Sequence, residues 1–215
     1  MSLHLYFHPL SSFCQKVLIA FYENDTHFER HIVDLSEATS SAEFKKMWPI
    51  GKFPVVRDEA KDRTIPESSI IIEYLAQHYP GRVQLVPTDA DLARQTRLRD
   101  RFYDLYVQVP MQKIVGDRLR AAGKSDPHGV ELAKASLQTA YRMIDEEMAS
   151  KMWAMGDAFG MADCAAAPAL FYANKVIPFG ETHKNVARYF DRLMARPSYV
   201  RAVEEARPYF HLFPK

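Results

Sequence analysis

Apolar and polar positions change their spacing partway along the chain. In the first 80 residues short runs of two kinds alternate. "LHLYFH" (3–8) reads as a strand, and residues 12–24 carry Val17, Leu18, Phe21 and Tyr22 at helical spacing. "FERHIVDL" (28–35) reads as a second strand, and "SAEFKKMW" (41–48) as a short helix stopped by Pro49. "FPVVRD" (53–58) and "TIPES" (64–68) read as a hairpin across the polar "EAKD", and "SSIIIEYLAQHY" (68–79) as a helix ending before Pro80-Gly81. The predicted order is β-α-β-α-β-β-α, with the first two strands parallel and joined by a right-handed crossover.

Beyond "PGRVQLVPTD" nearly every segment has helical period. Residues 90–122 read as one long helix bent at Pro110. Further helices are expected over 126–149, 161–176, 182–195 and 198–206. The pattern divides the chain into an α/β unit (1–80), a linker (81–88) and an all-helical unit (89–215).

Composition narrows the class. The 215 residues are 47% hydrophobic and 26% charged, with a formal net charge of +1. That is an ordinary balance for a globular chain, with no field that calls for nucleic acid or an anionic membrane. No apolar run reaches the ~20 residues of a membrane span, and "MSLHLYFHP" lacks the basic and apolar regions of a secretory leader. The only cysteines, Cys14 and Cys164, are far apart, so a disulfide framework is not expected and a reducing cytoplasm is.

Candidate chemistry begins at "SSFCQKV" (11–17), where the first strand gives way to a helix. Ser11 or Ser12 there is suited to capping the helix, which contributes ~1 kcal/mol. Cys14, one turn in, is suited to being a small buried side chain. The same turn also aims N–H groups and the positive end of the helix dipole at an anion. A hydroxyl there can donate to a thiolate. A free thiol of pKa ~8.5 is only a few per cent ionised at neutral pH, and each unit of depression needs ~1.4 kcal/mol. Thioredoxin-like folds place a C-x-x-C pair at this turn. Here the spacing is Ser11-Ser12-Phe13-Cys14, so a dithiol cycle is excluded and any activated thiol must come from outside.

Two further segments bear on such a site. In "WPIGKFPVV" (48–56), a cis Phe53–Pro54 bond leaves the Phe53 backbone free for an extended peptide. A trans proline opening an edge strand fits the local sequence equally well. In "IPESSIIIEYL" (65–75), Glu67 and Ser68 open a helix whose first N–H groups suit a carboxylate, or simply an N-cap.

Taken together, "HPLSSFCQKVLIAFYEN", "GKFPVV", "ESSIIIEYL" and "GMADCAAAPAL" resemble, in this order, segments of the cytosolic glutathione S-transferases of the serine type, bacterial or phi/theta-like. The resemblance spans essentially the whole chain. It implies an α/β plus all-α fold, with a thioredoxin-like N-terminal domain followed by an all-helical C-terminal domain. It also implies a transferase that ionises bound glutathione, its co-substrate, and conjugates it to an apolar electrophile. By the same resemblance Ser11 donates to the glutathione sulfur, with Ser12, Tyr6 and Cys14 as alternatives. The Phe53 backbone pairs with the cysteinyl unit beside a cis Pro54, Glu67 and Ser68 hold the γ-glutamyl end, and Lys52 reaches the glycyl carboxylate. The electrophile pocket is expected between the domains, at Arg101, Tyr103, Tyr106, Val107, Met111 and Phe171. A twofold homodimer with a role in detoxification is implied.

The chain departs from the family pattern at Phe53, where valine is usual, at Trp48-Pro49 in place of Asn-Pro, and at Gly160, where a serine or threonine cap pairs with Asp163. The basic residues of phi-type proteins are replaced by Thr39 and Ser40. "RQTRLRDR" reads as a solvated or interface face. His128 and His183 lack partners at ligand spacing, so no metal is assigned. The alternatives are a glutathione-dependent isomerase, dehalogenase or thiol reductase on the same scaffold, or a non-catalytic binding or adaptor protein.

Overall fold

A computed structural model describes residues 2–214. Met1 and Lys215, the outer limits of the two expected domains, lie outside the described residues. Strand β1 (Leu3–Phe7) buries Leu3, Leu5 and Phe7 on one face and turns His4 and Tyr6 to the other, the period-two alternation of a strand. It pairs in parallel with β2 (Glu29–Ile32) and antiparallel with β3 (Val55–Asp58), which pairs antiparallel with β4 (Arg63–Pro66). The sheet order is β2-β1-β3-β4. Helices α1 (Ser12–Glu23), α2 (Ala38–Met47) and α3 (Ser68–His78) complete the thioredoxin-like N-terminal domain.

The helical C-terminal domain comprises α4 (Ala90–Phe102), α5 (Val109–Arg118), α6 (Pro127–Glu147), α7 (Met161–Val176), α8 (Lys184–Met194) and α9 (Pro197–Ala206). Helix α1 is buried almost all round because it packs against α3 on one side and α7 and α9 on the other. Several of its buried polar groups therefore pair across the domain boundary, although Gln15 Oε1 has no partner among the described residues. Gln15 donates to Tyr172 Oη at 3.1 Å, and Glu23 accepts from Arg196 at 2.6 and 2.7 Å and from the Ser198 hydroxyl.

Helix α7 opens as the spacing predicts. Asp163 is fully buried and accepts from the N–H groups of Gly160 (2.9 Å) and Ala154 (2.8 Å) and from Tyr189 Oη (2.6 Å). Burial nevertheless pushes its carboxyl up to about 6. The glycine at the cap has a packing reason: a Cβ at position 160 stands only 3.2 Å from Leu85 O, the carbonyl that accepts the Met161 N–H.

Three elements differ from expectation. Helix α2 begins at Ala38 rather than Ser41, because the Glu37 carboxylate accepts from Thr39 N–H (2.8 Å) and Ser40 N–H (2.5 Å) and closes the first turn. The helix expected over 90–122 is split by a π-helical stretch, Tyr103–Gln108, and ends at Arg118. There Val109 N–H reaches back to Asp104 C=O, and Pro110, which has no N–H to donate, follows at once. A 3₁₀ turn over Arg207–Leu212, not foreseen in the pattern, folds back so that Tyr209 meets His8 edge-on at 4.8 Å and Phe210 stacks on Phe171.

Candidate functional site

A cleft between the domains forms where the start of α3, the loop before β3 and the π stretch converge. Its lining includes Phe13, Lys52, Phe53, Pro54, Glu67 and Ser68 from the first domain. Arg101, Asp104, Leu105, Val109 and Gln112 face them from the second.

Helix α3 starts open. Its N-cap Glu67 has φ +71° and makes no side-chain capping bond. Such a conformation costs a non-glycine residue of order 1–3 kcal/mol and clusters at functional sites. The first intrahelical bond runs from Ile71 N–H to Glu67 C=O at 2.9 Å, so the preceding N–H groups have no acceptor within the helix. Ser68 is 6% exposed, and its hydroxyl has no hydrogen-bond partner among the described residues. The residue lines the cleft, so an anion at this helix end can take the hydroxyl together with the free N–H groups.

The Phe53–Pro54 bond is cis. Phe53 lies just outside the β3 ladder, and its N–H and C=O take no backbone hydrogen bond among the described residues. A donor and an acceptor are thus presented to an extended peptide. Lys52 stands beside them on the cleft wall.

The opposite wall carries two carboxylates paired with cations. Lys16, 1% exposed, places Nζ 2.6 Å from Asp100 Oδ1, 2.9 Å from Asp104 Oδ2 and 2.9 Å from Ser69 Oγ. Ser69 in turn donates to Asp100 Oδ2 at 2.5 Å. Burial pushes the Asp100 carboxyl above its usual range, against the pull of Lys16. The two carboxylates share one buried lysine, and Arg101, half exposed, stands 3.4 Å from Asp104. The cleft thus offers free N–H groups at the α3 N-terminus and a carboxylate acceptor at Asp104, which suit a ligand end carrying both a carboxylate and an ammonium.

At α1, Ser11 is the N-cap, and its Oγ accepts from Cys14 N–H at 3.4 Å. Capping uses a lone pair, and the O–H, directed at the Cys14 thiol here, can turn to another acceptor. Ser11 is part-exposed and two residues from Phe13, which lines the cleft; Ser12 is buried. Cys14 is fully buried, and its thiol is pushed up to about 12 because burial outweighs the Ser11 and His8 hydrogen bonds. Tyr6 lies on the face of the sheet covered by α2, stacked on His31 at 4.6 Å and tilted against Phe44. Burial and the charges of Glu59 and Glu29 raise its hydroxyl pKa. Neither alternative is disposed to activate a thiol in the cleft.

The structure brings Lys52, Phe53, Pro54, Glu67, Ser68 and Arg101 together. It disperses the rest of the expected electrophile pocket. Tyr103, Val107 and Met111 are core residues at 3%, 0% and 3% exposure. Tyr106 lies on another surface, an apolar groove with Leu98, Phe102, Leu132 and Met143. Phe171 is covered by Phe210 and Tyr199. The π stretch is the reason: it changes the residues per turn, so Asp104, Leu105, Val109 and Gln112 reach the cleft instead. The solvated-face reading of "RQTRLRDR" fails at Asp100, which is fully buried. A signal for it existed, because Asp100 falls on the stripe Ala93, Thr96, Tyr103, Val107, all buried. No sequence pattern points to Lys16 as its partner.

Comparison with known proteins agrees with this architecture. Family models for the glutathione S-transferase N-terminal domain and C-terminal domain match residues 5–83 and 102–197. A glutathione S-transferase-like protein, LUC7, from a Fusarium species is 30% identical over 162 residues, covering 74% of this chain and 71% of that protein. A stringent starvation protein A homolog of Haemophilus influenzae is 27% identical, covering 91% and 87%. Among solved structures, a glutathione S-transferase of Methylobacillus flagellatus with glutathione bound superimposes with a TM-score of 0.85, at 22% identity, over 94% of this chain and 98% of that one. On these matches, and with both domains present in order, the chain belongs to the glutathione S-transferase family.

Proposed function

We propose that the cleft binds glutathione and that the protein conjugates its thiol to an apolar electrophile. The observation that carries this reading is the open end of α3, where Glu67 makes no capping bond and Ser68 lines the cleft that Asp104 also lines. The γ-glutamyl carboxylate fits the first site and its ammonium the second. The cysteinyl amide then lies along the Phe53 backbone, and the glycyl carboxylate extends toward Lys52. Ser11, capping α1 through a lone pair, keeps its proton for the sulfur, and the α1 dipole favours the thiolate. The electrophile meets the thiolate against Phe13, Leu105 and Val109. Holding both partners in one cleft supplies proximity, and ionisation supplies the nucleophile.

A twofold homodimer is part of this proposal. The groove between α4 and α6 exposes Leu98 (59%), Tyr106 (55%) and Leu132 (58%), an apolar surface that a second copy would cover. The competing reading is a binding protein without turnover. In its favour, a relative whose name mentions no transferase shares the frame over 91% of this chain. Calorimetry with glutathione, followed by a conjugation assay with an aryl halide, an epoxide, a peroxide and a mixed disulfide, separates the readings. Binding with thioether formation is expected. Binding without turnover of any member of the panel selects the binding protein, turnover of the disulfide alone selects a reductase, and absence of binding removes both glutathione readings.

A further inference from the structure

The face of the sheet turned away from the core carries a group of side chains that glutathione chemistry does not use. In the parallel ladder His4 of β1 pairs with Glu29 of β2, and Tyr6 pairs with His31. Side chains of one face recur every second residue, so His4, Tyr6, Glu29 and His31 project together. His4 Nδ1 and His31 Nε2 are 3.0 Å apart, although 27 residues separate them in sequence. The Glu29 carboxylate closes the triangle, with Oε2 3.5 Å from His4 Nδ1 and Oε1 3.4 Å from His31 Nε2.

We propose that His4, Glu29 and His31 form a site for a divalent transition-metal ion of the zinc type, with solvent completing the coordination.

Geometry supports it first. Ligand atoms 2.0–2.1 Å from a tetrahedral ion stand about 3.3–3.4 Å from one another, and the three spacings here bracket that edge. Without the ion, the two uncharged rings share one N–H···N hydrogen bond, and an ion takes the place of that hydrogen once the rings turn their lone pairs to a common point. Both rings are partly open to solvent, His4 with 19% and His31 with 33% of the side chain exposed. Two imidazoles and one carboxylate are the donor set of zinc, nickel, cobalt and copper rather than of magnesium or calcium.

The surroundings hold the donors in place. The Tyr6 ring stacks on His31 at 4.6 Å and 13°, and itself leans on Phe44 of α2. The nearest cation on the adjoining strand is Arg57, opposite His4, and its charge is taken up by Glu59 at 3.2 Å and by Asp62. Strand β2 is a sheet edge, so an ion reaches the cluster directly from solvent. His128 and His183, the histidines that the sequence pattern singles out, take no part in it. The cluster exists only through strand pairing.

The test uses the full, untagged, glutathione-free chain. Zn²⁺ is titrated by calorimetry, and Co²⁺ by its visible absorption. One equivalent per chain is expected, and His4→Ala, Glu29→Gln and His31→Ala should each weaken binding about tenfold or more. His27→Ala and His211→Ala should leave it unchanged. Mg²⁺ in large excess should not displace the ion. Zn²⁺ should also raise the melting temperature of the wild type and of His27→Ala but not of His31→Ala, which separates loss of the site from loss of the fold. Unchanged affinity in all three cluster variants, absence of binding at ~100 µM metal, or displacement by Mg²⁺ overturns the proposal. The probe is the metal alone, so the outcome does not depend on whether the transferase reading holds.

Discussion

Two helix N-termini of the first domain, those of α1 and α3, are built from similar residues and finished differently. Helix α1 begins Ser11-Ser12 and α3 begins Glu67-Ser68-Ser69. At α1 the cap is closed: Ser11 adopts an extended backbone, φ −74° and ψ 125°, and its oxygen accepts the Cys14 N–H. At α3 the cap is open: Glu67 sits in the left-handed region and makes no capping bond, while Ser68 faces the cleft. A satisfied cap contributes to stability by itself. An unsatisfied one costs stability until a ligand completes it. The difference assigns the two ends separate duties, α3 for holding an anion and α1 for tuning a thiol.

Removing the anion site should have the largest effect. Ser68→Ala is expected to weaken glutathione binding by about 1.5–3 kcal/mol, the range for hydrogen bonds to charged groups. Calorimetry on the variant measures it, and unchanged affinity would mean that α3 is only a helix start. Ser11→Ala should act in the opposite manner. Affinity should stay near the wild-type value while the bound thiol's pKa rises by about one to two units, lowering the rate at pH 7 by roughly one to two decades. Absorbance of the thiolate against pH reads the shift, and part of the rate should return at alkaline pH. Superimposable titration curves for wild type and variant would take the thiol duty away from Ser11.

Glu67→Gly sharpens the contrast by relieving the left-handed residue. Thermal or denaturant unfolding should show a gain of about 1 kcal/mol, since glycine enters this region freely; a loss would mean that the Glu67 side chain supports the helix start. Cys14→Ala should change least, leaving the glutathione conjugation rate within about twofold of wild type, since the group plays no part in the chemistry. With a thiol pKa pushed up to about 12, roughly one molecule in 10⁴ carries the thiolate at pH 8. Alkylation of native protein followed by mass spectrometry should leave Cys14 unmodified, and rapid labelling there would reopen the reductase reading.

The amino-acid sequence by itself determined what depends on neighbours within a few residues. The order of strands and helices, the bounds of α7, the Gly160–Asp163 start and both helix N-termini follow from caps, breakers and apolar period, because those interactions close within one turn or along one strand. The tertiary structure decided whatever needs a partner far along the chain or a change of helical phase. Lys16 meets Asp100 and Asp104 only because α1 is clasped between the domains, and no local pattern records a salt bridge spanning more than eighty residues. The π stretch at Tyr103–Gln108 decided which side chains reach the cleft, because one widened turn rotates all that follows it onto another face. The open Phe53 backbone and the His4–Glu29–His31 cluster belong to the same class. Each is a property of strands brought side by side, and strand pairing is set by burial of the whole sheet rather than by the residues that happen to meet across it.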